Sequence, residues 1–296
     1  MATILDGKKL SKKMLEDLLP RIERVNRRLY PGRLRLDIFM VGDNPASQTF
    51  VQRKKETGSN IGVEVNVHHS RSASTNALRS EVAELGRNKN VHGIVVQLPL
   101  PPNINEQKIL DAVPPHKDVD VLGYKAVGKF ITRNKQFPIL PSTLSGILKL
   151  LEAYGIKEFR GQNMVVVGAG KLVGLPAVNY FMRKDEKDAT VTNVCRHTRD
   201  LSQILQMADV LISGAGNPGF IKGDMLKPGA IIVDAGTSKD PATGKLVGDI
   251  DFETVEKVAS FITPVPGGVG PMTVAMIFYN LVELVEMKYK IQKAAL

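Results

Sequence analysis

The chain has 296 residues, of which 43% are hydrophobic, and it carries a formal net charge of +10 at pH 7. That length suffices for about two α/β domains, each with its own core. Lys and Arg are spread along the chain and only 5% of the residues are aromatic, so no nucleic-acid partner is expected. The basic surface would instead attract a polyanionic small substrate or a phosphate-bearing cofactor.

Cysteine and histidine usage gives no sign of a metal centre. The single cysteine, Cys195, excludes an internal disulfide framework and a multi-cysteine site. His68 and His69 are adjacent, so on a strand they would point to opposite faces. We also expect no stretch long or apolar enough to span a membrane and see no charged-then-apolar leader, which predicts a cytoplasmic protein without a membrane partner.

The chain opens with a predicted helix. Asp6 suits its N-cap, and Leu10, Leu18 and Val25 are among the apolar positions that share one face. Pro20 is expected to kink or interrupt this helix, which is interpreted as scaffold.

A strand over residues 34–41 and a second helix follow. Asn44 suits the N-cap of this helix and Pro45 its first position. Phe50 and Lys54 lie one turn apart and therefore share a face.

Residues 63–67, 78–85 and 93–98 continue as strand, helix and strand. This alternation predicts a parallel sheet covered by helices, with polar residues at the carboxyl ends of the strands facing a cleft.

Polar residues at unusual places are the first functional candidates. Gln97 ends a buried strand, where an unpaired amide would cost a few kcal/mol. Asp118 and Asp120 stand in a loop, and Lys54 belongs to a basic run. Spacing alone also allows capping or turn chemistry for the aspartates and a solvated helix face for Lys54.

A glycine-rich turn organises the second half of the chain. The apolar run 164–167 ends in Gly168-Ala169-Gly170, which Lys171-Leu172-Val173-Gly174 follows. Strand, tight turn and helix N-terminus in this order favour phosphate, because glycines allow close approach and the first helical N–H groups attract negative charge. Pattern alone also allows an ordinary strand-to-helix corner.

Further strands at residues 189–194, 210–213 and 230–234, with helical spacing between the first two, predict a βαβαβ run. The first of these ends on basic residues, where an NAD site usually has Asp or Glu. Arg196, Thr198 and Arg199 therefore indicate NADP, with NAD as the alternative if the arginines are merely solvated loop charges.

Four segments together resemble one known family. VHGIVVQLPLP at 91–101, KDVD at 117–120, VVVGAGKLVGLP at 165–176 and ITPVPGGVGPMTVAM at 262–276 occur in this order and cover essentially the whole chain. They resemble the bifunctional methylenetetrahydrofolate dehydrogenase/methenyltetrahydrofolate cyclohydrolase family.

The resemblance implies a two-domain α/β fold and a homodimer. Residues 1–140, completed by a C-terminal helix over 272–296, would form a folate-binding domain, and residues 141–271 a Rossmann-like NAD(P)-binding domain, with a cleft between them. The substrates would be one-carbon derivatives of tetrahydrofolate, oxidised with NADP at the methylene level and hydrolysed at the methenyl level.

The family's residues can be transferred one at a time. Lys54 takes the place of the catalytic lysine, Gln97 of the glutamine that orients it, Asp120 of the aspartate that binds the pterin, and Phe50 of a tyrosine. The remaining implied positions are Pro264, Gly267 and Gly268 for the folate side, and Gly168, Ala169, Gly170, Lys171, Val173, Gly174, Arg196, Thr198, Arg199 and Thr273 for the cofactor.

The chain departs from the family pattern at four positions. Ala169 and Gly170 stand where the family has Arg and Ser, Val121 replaces a glycine, and Phe50 lacks the tyrosine hydroxyl. These departures keep two alternatives open: a dehydrogenase without hydrolase activity, and a catalytically silent paralogue that binds folate or NADP.

Overall fold

The computed structural model describes residues 1–184, 187–240 and 243–291, which form two compact units. One unit, the nucleotide unit, comprises Met1–Lys12 and Thr143–Thr273, and the other, the lysine unit, comprises Lys13–Ser142 and Val274–Leu296. Residues 292–296 of the predicted C-terminal helix lie outside the described residues.

The strands are β1 (Thr3–Ile4), β2 (Arg35–Val41), β3 (Glu64–Ser70), β4 (Gly93–Val96), β5 (Asn163–Val167), β6 (Thr190–Val194), β7 (Val210–Ser213), β8 (Ile231–Asp234), β9 (Ser238–Lys239), β10 (Leu246–Val247) and β11 (Phe261–Ile262). The helices are α1 (Gly7–Leu29), α2 (Pro45–Asn60), α3 (Thr75–Arg87), α4 (Glu106–Leu110), α5 (Tyr124–Ile131), α6 (Ser142–Ala153), α7 (Gly174–Phe181), α8 (Leu201–Leu205), α9 (Phe252–Val255) and α10 (Val269–Tyr289).

The nucleotide unit contains a six-stranded parallel sheet in the order β1-β11-β8-β7-β5-β6. The chain moves from β5 to β6 on one side and then returns to β7 on the other side of β5. Such a reversal is the place where open α/β sheets bind ligands, outside the carboxyl ends of the strands. The core below it is aliphatic, with Val165, Leu211 and Ile232 at most 1% exposed.

The lysine unit contains a parallel sheet of three strands in the order β3-β2-β4. Its core packs residues of β2 and β4 against α3, including Phe39, Ile94 and Leu78. The predicted alternation of strands and helices is confirmed, because near-continuous apolar strands require cover on both faces.

Both predicted helix starts are confirmed. Asp6 accepts the backbone N–H of Lys9 at 2.8 Å, and Asn44 accepts that of Ser47 at 3.2 Å. The prediction that Pro20 interrupts the helix is wrong, because α1 continues through it. Pro20 is exposed, while buried Leu18 and Ile22 hold the residues on either side of it to the core.

The first residues of the chain lie in a different unit from the one expected. The resemblance predicts residues 1–12 in the folate-binding domain, but in the structure they pack in the nucleotide unit. The reason is hydrogen bonding, because β1 extends the edge of the six-stranded sheet beside β11.

The expectation that no stretch is long and apolar enough to cross a membrane is wrong for α10. By length and composition this helix could cross a membrane, and 72% of an apolar 18-residue stretch within it is buried inside the protein. A helix surrounded by core needs apolar residues on every side, which gives the same composition.

Candidate active site

The lysine unit brings Lys54 and Gln97 into direct contact. Lys54 lies on α2 and Gln97 directly follows β4, and their side chains are 6% and 8% exposed. The Lys54 Nζ donates to the Gln97 Oε1 at 2.8 Å, and the Gln97 Nε2 donates to the Leu98 carbonyl at 2.7 Å. Both ends of the amide are therefore paired, which fixes the direction in which it presents its oxygen to the lysine.

Burial lowers the pKa of Lys54, while the charge of Asp120 opposes that shift. Gln97 is the only hydrogen-bond partner of the ammonium group among the described residues. A buried ammonium with one neutral acceptor is poorly satisfied. The geometry therefore favours the neutral amine more than at an exposed lysine and leaves hydrogen-bonding capacity for a water or a substrate.

Asp120 lies on the loop that follows the segment paired with β4. It is half-buried, and within the described residues its carboxylate accepts no hydrogen bond from the protein. The oxygens are thus available to donors of a ligand, and paired N–H donors of a heterocycle would match them.

The neighbours of Asp120 build its loop. Lys117 donates to the carbonyls of Gly86 and Asn88 at 2.8 and 2.6 Å, which caps the C-terminus of α3. Asp118 is 3% exposed and accepts the backbone N–H groups of Leu122 and Gly123 at 3.0 and 2.8 Å. Burial raises the pKa of Asp118 to about 7. Of the two aspartates, Asp118 thus has the capping and turn role that the spacing allows.

Val121, next to Asp120, has φ of 59° and is 1% exposed. A β-branched residue in the left-handed region costs about 1–2 kcal/mol. The family pattern has glycine here, which adopts this conformation without that cost. Val121 thus holds a conformation that glycine adopts more readily, and its side chain adds buried apolar surface.

Phe50 lies one turn before Lys54 on α2 and is half-buried. The Arg53 guanidinium carbon lies 5.9 Å from the centroid of its ring, a cation–π contact. The ring has no hydroxyl to join the hydrogen bonds of Lys54.

The glycine turn of the nucleotide unit connects β5 to α7. Gly168 has φ of 99°, and a Cβ there would lie 2.7 Å from the Gly214 carbonyl oxygen. A Cβ on Gly174 would overlap the Gly168 carbonyl, so both positions require glycine. Gly170 has open space around its Cβ position and tolerates a side chain.

This turn fits a phosphate group. Val173, the N-cap of α7, is buried and makes no side-chain capping hydrogen bond. The N-cap side chain therefore does not compete with a pyrophosphate for the N–H groups at the N-terminus of α7. Ala169 is exposed and Lys171 is half-buried beside it.

The basic segment after β6 is held by its own backbone. Thr198 accepts the Cys195 N–H through its hydroxyl at 2.9 Å and donates its N–H to the Cys195 carbonyl at 3.0 Å. Arg196 and Arg199 are exposed, and the Arg196 Nε donates to His197 at 3.0 Å. The first carboxylate after the strand is that of Asp200.

The Pro264–Thr273 segment is also built by close backbone packing. Gly267 has φ of 119°, and the Gly268 N–H donates to the Pro264 carbonyl at 2.8 Å. A Cβ on Gly7 would overlap the Gly268 carbonyl, so the segment lies against the start of α1. Thr273 donates to the Val269 carbonyl at 3.2 Å.

Sequence reasoning missed one feature of the nucleotide unit, the two buried carboxylates Asp234 and Asp249. A charged residue at the end of the apolar run 230–234 was the available signal, but its partner lies fifteen residues further on. The structure describes no group of three or more His, Cys, Asp or Glu that could hold a metal ion.

A parallel sheet with a glycine turn at its reversal point, together with a buried lysine in a second α/β unit, defines a dinucleotide-dependent enzyme. Residues 5–120 match the catalytic domain of tetrahydrofolate dehydrogenase/cyclohydrolase, and residues 141–289 match its NAD(P)-binding domain. The chain belongs to the tetrahydrofolate dehydrogenase/cyclohydrolase family.

Similar proteins cover the chain almost end to end. It is 41% identical over 286 residues to the bifunctional protein FolD of Sulfurihydrogenibium sp., covering 96% of this chain and 98% of that protein. The crystal structure of the bifunctional FolD enzyme of Campylobacter jejuni is 38% identical, with a TM-score of 0.89 and coverage of 97% and 100%. Trypanosoma brucei FolD, solved with NADP and an inhibitor, is 35% identical, with a TM-score of 0.89 and 99% coverage of each chain.

Proposed function

We propose that the chain oxidises 5,10-methylenetetrahydrofolate to the methenyl form with NADP and hydrolyses the methenyl form to 10-formyltetrahydrofolate. The buried Lys54–Gln97 pair carries this proposal, because hydrolysis needs a positioned group to handle the proton of the attacking water. Asp120 would hold the pterin through its amino and ring N–H groups.

The two steps make different demands on the chain. A bound NADP would supply the nicotinamide that accepts hydride from the methylene bridge. For this step the chain mainly orients the substrate through Asp120, since the flanking nitrogens of the folate stabilise the resulting cation. For hydrolysis Lys54 directs a water and takes its proton, and Gln97 keeps the amine aimed.

The test is a steady-state comparison of the purified protein in two assays, methylenetetrahydrofolate oxidation with NADP and methenyltetrahydrofolate hydrolysis without cofactor. Activity in both supports the bifunctional enzyme. Oxidation without hydrolysis would establish the dehydrogenase-only alternative, which the missing hydroxyl at Phe50 favours. Binding without turnover in either assay would establish a silent paralogue.

We propose NADP rather than NAD as the preferred cofactor. Support comes from Arg196 and Arg199 and from the lack of a carboxylate between the end of β6 and Asp200. One guanidinium contact to a phosphate contributes about 1.5–3 kcal/mol, or roughly ten- to a hundredfold in affinity.

Titration of the protein with NADP and with NAD tests this preference. Arg196→Ala and Arg199→Ala should weaken NADP and leave the Kd for NAD unchanged, whereas Arg79→Ala on α3 in the other unit should change neither. Equal affinities for the two cofactors in the unmutated protein would show that these arginines make no contact with the 2′-phosphate.

We propose that the protein is a homodimer. Support comes from β3, which is an edge strand of its sheet and exposes Val67 at 36%. Unpaired edges are natural sites of association. Light scattering should give twice the chain mass, and Val67→Lys should shift it toward the monomer if this edge is used.

We propose a reducing compartment such as the cytoplasm. Cys195 is exposed and free, and an exposed thiol would be prone to oxidation elsewhere. Fractionation of the native host that places the protein outside the cytoplasm would contradict this.

A further inference from the structure

Asp234 and Asp249, the carboxylate pair, are buried together in the nucleotide unit. Asp234 ends β8 and is 2% exposed, and Asp249 follows β10 and is 0% exposed. The Asp249 N–H donates to the Asp234 Oδ1 at 3.2 Å. Burial, with a further contribution from Asp249, raises the pKa of Asp234 to about 7. Burying two carboxyl groups destabilises the fold unless hydrogen bonds replace their lost hydration.

Asp249 holds the loop that leaves β7. Its Oδ2 accepts the Ser213 hydroxyl and the Ala215 N–H, both at 2.7 Å, and its Oδ1 accepts the Asn217 N–H at 2.9 Å. Three donors from one five-residue stretch converge on a single side chain. The Gly214 N–H donates to the Val167 carbonyl at 2.9 Å, and beyond Gly214 this carboxylate fixes the backbone through Ala215 and Asn217.

Asp234 holds the loop that leaves β8. It accepts the Gly236 N–H and the Ile250 N–H, each at 2.9 Å. A Cβ on Gly236 would overlap the Asp249 carboxylate, and one on Gly248 would overlap that of Asp234. The backbone thus closes around both carboxyl groups without room for another side chain.

Both loops start at the carboxyl ends of their strands, level with the end of β5 where the phosphate turn begins. In the strand register, Val167 of β5 pairs with Ser213, and Ser213 pairs with Asp234. A Cβ on Gly168 would lie 2.7 Å from the Gly214 carbonyl, and one on Gly214 would lie 2.7 Å from the Val173 Cβ. The loop that Asp249 holds is therefore in direct contact with the phosphate turn.

We infer that the carboxylate pair is a positioning device for the cofactor: it holds the loops 214–217 and 235–237, the first of which contacts the phosphate turn, and thereby sets the affinity for NADP. Neither aspartate needs to touch the cofactor. The inference rests on the proposed binding of NADP in this unit. Small displacements of binding groups weaken a preorganised site strongly, so loosening these loops should be visible in cofactor affinity.

Asp249→Asn is the main test, because it keeps the shape and directs an amide NH₂ at groups that are themselves donors. The variant should raise both the Kd and the KM for NADP about tenfold and keep kcat at saturating cofactor within about twofold. Methenyl hydrolysis measured without cofactor should be unchanged. A general loss of folded protein would instead lower kcat in both assays and leave the KM for NADP as it was.

Asp209→Asn is the matched control. Asp209 also accepts a backbone N–H, that of Asn163 at 2.8 Å, but at the opposite end of β5. This variant should bind NADP like the unmutated protein.

Ser213→Ala decides the matter if Asp249→Asn does not fold, because it removes one of the three donors and leaves the carboxylate in place. We expect its Kd for NADP to rise about threefold. An unchanged Kd in every Asp249 and Ser213 variant that folds would overturn the inference. Failure of the unmutated protein to bind NADP would instead refute the proposed function.

Discussion

The lysine site and the phosphate turn, one in each unit, are built on different principles. The turn is formed by adjacent residues, and its shape depends on the backbone freedom of Gly168 and Gly174. The lysine site joins Lys54 and Gln97, which are 43 residues apart, through buried polar side chains. A backbone turn is sensitive to added atoms, and a buried polar pair is sensitive to lost hydrogen bonds and to pH.

Lys54→Met should break the lysine site and leave the turn intact. We expect methenyl hydrolysis to fall by about 10²–10⁴-fold, because the proposed proton acceptor is removed while methionine keeps the apolar stem. The Kd for NADP should not change. Lys55→Met, an exposed neighbour on α2, is the control, and hydrolysis near the unmutated rate in Lys54→Met would refute the role of this residue.

Gly168→Ala should break the turn and leave the lysine site intact. The left-handed conformation and the close Gly214 carbonyl should together cost about 2 kcal/mol or more, seen as a lower unfolding temperature and weaker NADP binding. Gly170→Ala, two residues on, should change neither, because its Cβ position is open. Equal effects of the two substitutions would contradict the claim that Gly168 requires glycine and Gly170 does not.

Phe50→Tyr tests whether a hydroxyl at this position contributes to the lysine site. If the added hydroxyl reaches the Lys54 network, hydrolysis should rise several-fold, about the effect of one additional hydrogen bond. Oxidation of methylenetetrahydrofolate should stay the same. Phe50→Leu distinguishes the effect of the ring from that of the hydroxyl, because it removes aromatic contacts without adding a polar group. No gain in the tyrosine variant would mean that the ring serves packing alone.

The stability of the lysine unit should depend on pH through Asp118. Its pKa is raised to about 7 in the folded chain from 3.8, so the neutral form stabilises the fold. This contribution is complete below about pH 4 and is lost as pH rises through about 7. The unmutated protein should therefore lose part of its stability advantage over Asp118→Asn between pH 5 and pH 8.

Urea unfolding of the two proteins across this pH range measures the difference, with Asp17→Asn as an exposed control. An advantage that grows with pH would contradict the raised pKa. The glycines of the phosphate turn do not titrate, so Gly168→Ala should show a destabilisation independent of pH.

The sequence by itself determined the features that depend on neighbouring residues. The alternation of strands and helices follows from apolar runs and periodicity, and the caps Asp6 and Asn44 act within one helical turn. The glycine-rich turn could be predicted for the same reason, because its residues are adjacent in sequence. The contact between Lys54 and Gln97 was foreseen only through family resemblance, because no local pattern relates residues on separate elements.

Only the tertiary structure decided the rest. It kept α1 continuous through Pro20, placed residues 1–12 at the edge of the nucleotide sheet, and put Val121 in a left-handed conformation. It also made Asp118 a loop-holding group and paired Asp234 with Asp249. Burial contributes to these outcomes, and β1 beside β11 and Asp234 beside Asp249 are also held by hydrogen bonds between residues remote in sequence. Neither contribution exists before the chain has folded.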